Sequence, residues 1–264
     1  MESSLISFLS VVIPAYNEES RLPKTLGRVQ EYLRAKVGQG EIVVVNDGSS
    51  DRTLDAARQF AAAQPCPQVS LTVLENPGNR GKGYSVRHGM LRASGDWRLF
   101  SDADLSSPIE ECEKLFAAAA QQDGDVAIGS RALDRSLIGV HQSVFRENAG
   151  RVFNAFVRLA MGLPFADTQC GFKLFRRQAA QEIFTRLSLE RFGFDVEVLY
   201  LARKLGYRVV EVPVRWDDDP RTKVRMLADS FDMFLDLWRV RRNDWKGLYQ
   251  RPAQSGFPEP QDRA

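Results

Sequence analysis

Through its first half the chain repeats one pattern: a short unbroken apolar run, a cluster of turn residues, then apolar residues spaced by three or four. Ser7 to Ile13, Glu41 to Val45, Val69 to Leu74, Trp97 to Phe100 and Asp125 to Ile128 have the length and composition of buried strands. Between them, helical spacing is carried first by Leu22, Leu26, Val29, Leu33 and Val37. It returns over 51–63, 81–93 and 109–121. Pro23 sits where the first turn of a helix tolerates proline. Strands that are apolar throughout, and not on alternate residues, must be covered on both faces. Strands alternating with helices therefore predict an α/β fold with a mostly parallel, Rossmann-like sheet. In such sheets ligands bind beyond the carboxyl ends of the strands.

The second half changes style. Helices are expected over Val144 to Met161, Phe194 to Leu205 and Val224 to Trp238, and strands over Phe172 to Phe175 and Tyr207 to Trp216. The stretch from Arg251, with Pro252, Gly256, Pro258 and Pro260, is expected to be a disordered tail over 251–264. No repeat or linker divides 1–250, so one domain is expected, in two halves over about 7–131 and about 132–250. The formal net charge of +2 gives no reason to expect a nucleic-acid partner. Cys66, Cys112 and Cys170 are widely spaced, form no metal pattern and suit a reducing compartment. The N-terminus lacks the basic start of a signal peptide, and no apolar run approaches the roughly 20 residues that span a bilayer. A soluble or peripheral protein of the cytoplasm is the expectation.

Three strand ends carry carboxylates. Pro14-Ala15-Tyr16-Asn17-Glu18 follows the first strand: Tyr16 offers a stacking face for a base, and Glu18 an acceptor for base N–H groups. Asp47, after the second strand, is placed either to bind a base or ribose or to tie an Asx turn or cap. Asp102 and Asp104 leave the fourth strand two apart, hard oxygen ligands of the kind that Mg²⁺ or Mn²⁺ take when they neutralise a nucleoside diphosphate. An Asp-x-Asp alone is equally a solvated turn; it is the convergence of three such ends that argues for a site. Lys82, in Asn79-Arg80-Gly81-Lys82-Gly83, reaches either a phosphate or merely a helix start, and the run is neither a dinucleotide fingerprint nor a P-loop. His88 and His141 are isolated and read as structural.

These segments, together with Asn46-Asp47-Gly48-Ser49-Ser50-Asp51-Arg52-Thr53, resemble family 2 glycosyltransferases of the GT-A fold. Within that family, Asp167 to Phe175, Glu190 to Glu197 and Glu211 to Trp216 are similar to the dolichyl-phosphate β-glucosyltransferases and their prokaryotic relatives. The resemblance runs from about Ser7 to Leu248 and implies a nucleotide-sugar half over about 7–131 and an acceptor half over about 132–250. It implies that Pro14, Ala15, Tyr16, Glu18, Val45 and Asp47 hold the nucleoside, with Lys82, Asp102 and Ala103 along the rest of the nucleotide sugar. Asp102 and Asp104 would hold the metal; Asp104, Arg131, Lys223 and Asp195 would be the catalytic set, Arg131 and Lys223 on the acceptor phosphate and Asp195 either orienting hydroxyls or paired in the core. Where mannose-transferring relatives carry a Gln ligand and an Arg near the lysine, this chain has Ser106 and Asp217.

The implied reaction is inverting transfer of a hexose, glucose from UDP-glucose, to a polyprenyl phosphate. The alternatives are mannose transfer from GDP-mannose and transfer to a small hydroxyl acceptor. A lipid phosphate is already an anion, which accounts for the lack of a Ser–His or Cys–His pair. Phe145, Val152, Phe153, Phe156, Val157 and Met161 on one helix, and Leu227, Phe231, Phe234, Leu235 and Trp238 on another, would face either the sheet or a membrane. Arg239, Arg241, Arg242, Lys246 and Arg251 follow, against the single acid Asp244, as in an interfacial anchor on an anionic leaflet, so the implied lipid acceptor would make the protein peripheral at the inner face of the membrane. A nucleotidyltransferase would instead show a glycine-rich basic loop after the first strand, and a non-catalytic sensor a broken Asp-x-Asp.

Overall fold

The computed structural model describes residues 6–140, 144–217 and 226–250. The elements run β1 (Ile6–Ala15), α1 (Leu22–Lys36), β2 (Val37–Asn46), α2 (Thr53–Ala63), β3 (Val69–Glu75), α3 (Lys82–Arg92), β4 (Trp97–Ser101), α4 (Cys112–Gln121) and β5 (Val126–Ser130). There follow β6 (Ile138–Val140), α5 (Val144–Met161), β7 (Phe172–Arg176), α6 (Arg177–Arg186), α7 (Phe194–Lys204), β8 (Val209–Pro213), β9 (Trp216–Asp217) and α8 (Met226–Trp245). Seven strands form one sheet in the order β3-β2-β1-β4-β7-β5-β8. All neighbours pair in parallel except at β7, which runs antiparallel to both β4 and β5.

The apolar strands do what their composition requires. Along β1, Leu9, Val11 and Ile13 enter the core shared with α1, α2 and α4, while Val12 faces the opposite core. In β2, Ile42 and Val44 take the first face, Val43 and Val45 the second. The second core is closed by α3, α6, α7 and the inner sides of α5 and α8, through Val86, Ile183, Leu199, Val157 and Val240. The greasy stretches are therefore split: Val157, Met161, Leu237 and Val240 are buried, whereas Phe156, Leu159, Phe234, Leu235 and Trp238 remain exposed on the same two helices.

Three expectations need correction, and one helix, α6, is added to them. Val37 opens β2 instead of closing α1; its N–H donates to Leu33 O, and its extended backbone leads straight into the sheet. The segment over Tyr207 to Trp216 is not one strand. It leaves the sheet after Pro213, Arg215 N–H turns to Glu111 Oε2 at 3.1 Å, and β9 pairs with β6. Helix α6 has too short an apolar stripe, Ala179, Ala180, Ile183 and Phe184, to announce itself among charged residues. Helix α8 runs on to Trp245, well past Trp238.

The antiparallel β7 matters for the site. It brings its amino end, with Gly171 before it, to the edge where β1, β2, β4 and β5 present their carboxyl ends. Pro14 to Glu18, Asp47, Asp102 to Asp104 and Arg131 all lie along this edge.

Candidate active site

The loops after β1 and β2 are sewn together. Asp47 N–H donates to Ala15 O at 2.9 Å. Asn17 adopts a left-handed backbone (φ 56°), which asparagine tolerates, and its Oδ1 accepts from Ser50 N–H at 2.8 Å. Glu18 N–H donates to Thr53 Oγ1 at 2.7 Å. Both Glu18 oxygens accept from Arg21, at 2.6 Å each, so this carboxylate is engaged in holding the turn that starts α1. Tyr16 stands 39% exposed at the rim, whereas Ala15 and Val45 are buried. Val45 packs against Gly89 of α3, under the loop, so its side chain supports the edge and does not line it.

Asp47 is buried and organises the next loop. Its Oδ1 accepts from Arg80 N–H at 2.9 Å and from Asn76 Nδ2 at 2.8 Å; its Oδ2 accepts from Gly81 N–H at 2.8 Å. It is thus neither an Asx turn nor a helix cap, but the clamp that fixes Arg80-Gly81 at the start of α3. Gly81 has φ 105°, and a Cβ there would lie 2.5 Å from Glu190 O, so only glycine fits.

That clamp sets Lys82, whose Nζ lies 2.7 Å from Asp102 Oδ1, with both side chains about a quarter to a third exposed (25% and 30%). The other oxygen of Asp102 is hemmed by Gly171, where a Cβ would fall 2.0 Å from Oδ2. The Asp102–Ala103–Asp104 turn is held from below: Thr25 Oγ1 donates to Ala103 O at 2.6 Å, and Ser106 N–H donates to Asp104 Oδ1 at 2.9 Å across Leu105 in the left-handed region. Burial, and then the charge of Asp102, raise the Asp104 carboxyl above its ordinary value. Burial alone would lower the Lys82 ammonium, but Asp102 and Asp195 outweigh it and the net direction is up. Two carboxylates of like charge on one turn are a donor set suited to a hard divalent cation. Among the described residues no third His, Cys, Asp or Glu joins them.

Further along the edge, Arg131 leaves β5 and forks onto Asp167, with Nε 2.6 Å from Oδ2 and Nη2 2.9 Å from Oδ1. Burial would raise the Asp167 carboxyl, but the Arg131 guanidinium holds it down at about 2. Asp167 is itself fixed by Glu211 on β8, whose oxygens accept Ala166 N–H at 2.8 Å and Asp167 N–H at 2.7 Å. The Arg131 guanidinium also stacks 5.4 Å from the Trp216 ring centroid. Asp217 N–H donates to Ser106 O at 2.9 Å, tying this side to the Asp102 turn. Asp195 is buried and ion-paired with Lys173, whose Nζ also donates to Cys170 O at 2.6 Å. Glu197 is spent on the Ser188 and Leu189 N–H groups and on Tyr249. Lys223 lies outside the described residues, as do Asp218, Asp219, Arg221, His141 and 251–264.

Sequence reasoning gave no role to Asp167, Lys173 or Glu211. The signal for Lys173 was present: a lysine inside Phe172-Lys173-Leu174-Phe175 must find a partner when the strand is buried. Asp167 and Glu211 act through chain-distant partners and carry no comparable local mark.

The glycosyl transferase family 2 model matches residues 10–184. The chain is 40% identical over 251 residues to the dolichyl-phosphate beta-glucosyltransferase of Drosophila melanogaster, covering 91% of this chain and 76% of that one. It is 34% identical over 253 residues to the Homo sapiens protein of the same name, covering 92% and 77%. Among solved structures, Mycobacterium tuberculosis glucosyl-3-phosphoglycerate synthase in complex with Mn²⁺, UDP and glucosyl-3-phosphoglycerate superposes with a TM-score of 0.63 at 17% identity, covering 89% of this chain and 80% of that one. The sheet order, the Asp102 and Asp104 turn on its carboxyl edge and the extent of these matches lead to one conclusion: the chain belongs to glycosyltransferase family 2, with the GT-A fold.

Proposed function

We propose that the chain transfers glucose from UDP-glucose to a polyprenyl phosphate, dolichyl or undecaprenyl, with inversion at the anomeric carbon, working as a peripheral protein at the cytoplasmic face of a membrane. The observation that carries this reading is the placing of two charge systems on one sheet edge: Lys82 with Asp102 and Asp104, and Arg131 with Asp167. The names of the relatives support glucose, a β-linked product and a lipid-phosphate acceptor.

Mg²⁺ or Mn²⁺ would be held by Asp102 and Asp104, and when bound supplies positive charge to the departing nucleoside diphosphate. The other parts belong to the chain. Tyr16 and the Asp47-clamped loop cradle the nucleoside. Lys82, at the first turn of α3, turns its ammonium to the diphosphate, where the helix N-terminus adds to it. Arg131, kept in one orientation by Asp167, receives the acceptor phosphate, and Lys223 is its proposed second cation. Such a phosphate needs no general base, so positioning and charge neutralisation carry the rate. Asp195, held at 4% exposure by Lys173, serves as a positioning residue beneath the sugar. The exposed apolar sides of α5 and α8 support contact with the membrane that carries the acceptor; among the described residues no helix is long and apolar enough to cross it.

The test is donor and acceptor profiling of the purified protein with UDP-glucose, GDP-mannose, a short prenyl phosphate and 3-phosphoglycerate. Transfer from UDP-glucose to the prenyl phosphate is expected; activity confined to a hydroxyl acceptor would overturn the reading.

A further inference from the structure

The loop over 188–193 stands between two parts of the molecule. Its backbone meets the donor loop: Tyr84 N–H donates to Glu190 O at 3.0 Å, and Cβ atoms at Gly81 and Gly83 would collide with Glu190 O and Leu189 O. The same loop meets α8, because Gly193 lies against Asp236 so closely that a Cβ would fall 2.4 Å from its Oδ2. Between the loop and α8 opens a cleft of about 500 Å³ lined by Arg191, Arg239, Arg242, Asn243, Glu190 and Asp236 among others. Its acids are already matched, Glu190 by Arg80 at 2.5 Å and Asp236 by Arg239 at 2.8 Å. Among the described residues neither Arg191 nor Arg242 has a carboxylate partner, so two guanidinium charges are left over in one cleft. Arg242 lies 5.0 Å over the ring of Trp238, which is 56% exposed beside Phe234 and Leu235. Arg241 differs: it donates inward to Ala160 O at 2.8 Å and ties α8 to α5.

We propose that this cleft binds the phosphate headgroup of an acidic phospholipid. Two uncompensated guanidiniums suit one phosphate with two hydrogen-bonding oxygens, and the adjoining exposed aromatics suit the apolar boundary just below a headgroup. The site is distinct from the acceptor position at Arg131, and it rests on the reading that the enzyme works at a membrane. It would fix the protein's orientation on the bilayer through the same loop that backs Lys82.

The probe is dihexanoyl phosphatidylglycerol, titrated below its micelle concentration into the full chain by calorimetry. Dihexanoyl phosphatidylcholine and glycerol 3-phosphate are run beside it. The wild type should bind the phosphatidylglycerol saturably and the other two far more weakly. Arg191→Gln with Arg242→Gln should weaken that binding, and association with phosphatidylglycerol vesicles, roughly 30-fold, the equivalent of about 1 kcal/mol for each of two charges. Arg34→Gln with Arg92→Gln, equal in charge but remote from the cleft, should change both by less than about threefold. Equal losses in the two double variants would reduce the effect to diffuse attraction and overturn the site. Equally tight glycerol 3-phosphate would make it a site for soluble phosphates and also overturn it. Transfer to a water-soluble prenyl phosphate is measured on the same samples: transfer without phosphatidylglycerol binding refutes the cleft alone, and binding without transfer refutes the transferase reading alone.

Discussion

Asp167→Asn isolates the arrangement on the acceptor side. The substitution keeps the shape and one oxygen, but it removes the charge that holds the Arg131 fork. In the wild type Arg131 takes the Asp167 carboxyl from an ordinary 3.8 to about 2, which corresponds to about 2 kcal/mol of mutual stabilisation. Breaking a fully buried pair costs about 3–5 kcal/mol. Here Asp167 is buried but the Arg131 side chain is 31% exposed and recovers some water, so the lower figure, about 2–3 kcal/mol, is expected. Urea unfolding should show that loss as a shifted midpoint at unchanged slope. The sign in pH follows from the depressed value. The contribution is complete above about pH 4 and disappears as the pH falls through about 2, so the two proteins should converge in stability at strong acid. In turnover, a loosened Arg131 should raise the KM for prenyl phosphate about tenfold or more and leave UDP-glucose affinity within about twofold. Wild-type stability in the Asn variant, or a loss falling on the donor in place of the acceptor, would refute the reasoning.

Other expectations concern the donor side. Asp104→Asn should abolish transfer while the melting temperature holds or rises, because the change removes a half-buried charge that Asp102 repels; retained turnover in excess chelator would contradict the metal role. Gly171→Ala should cut Mn²⁺ affinity by electron paramagnetic resonance at least tenfold, since its Cβ would occupy space 2.0 Å from Asp102 Oδ2; unchanged affinity would show that Asp102 is not a ligand. Asp47→Ala should raise the donor KM about ten- to hundredfold through release of the Arg80-Gly81 loop, three hydrogen bonds being lost at about 1 kcal/mol each; calorimetry showing unaltered donor binding would reduce Asp47 to a structural clamp.

Much of the donor half was legible because its physics is local. Apolar runs longer than alternation allows required a sheet covered on both faces, and each run stopped where a turn cluster began. Asp47, Asp102 and Asp104 could be placed on one edge from that alone. What stayed hidden depends on partners far along the chain. For Lys82 the sequence leaves a phosphate contact or a helix start open, and its pairing with Asp102 follows only once α3 and β4 lie side by side. Arg131 was legible as a cation, whereas the Glu211–Asp167–Arg131 chain rests on β8, far along the sequence, pairing directly with β5. Position 195 admitted two readings, and its pairing with Lys173 on β7 could not be read locally because it joins residues 22 apart on different elements. On α5 and α8 the composition could not say which apolar residues face inward; packing divides Val157 and Val240 from Leu159 and Trp238.

The central claim is that a phosphate anion, and not a hydroxyl activated by a base, attacks the sugar. The direct measurement is nuclear magnetic resonance of the product formed from UDP-glucose and a short prenyl phosphate. The account predicts phosphorus coupling to the glucose anomeric centre in a β-linked phosphodiester. An α-linked product, or glucose attached only to a hydroxyl acceptor, would contradict it.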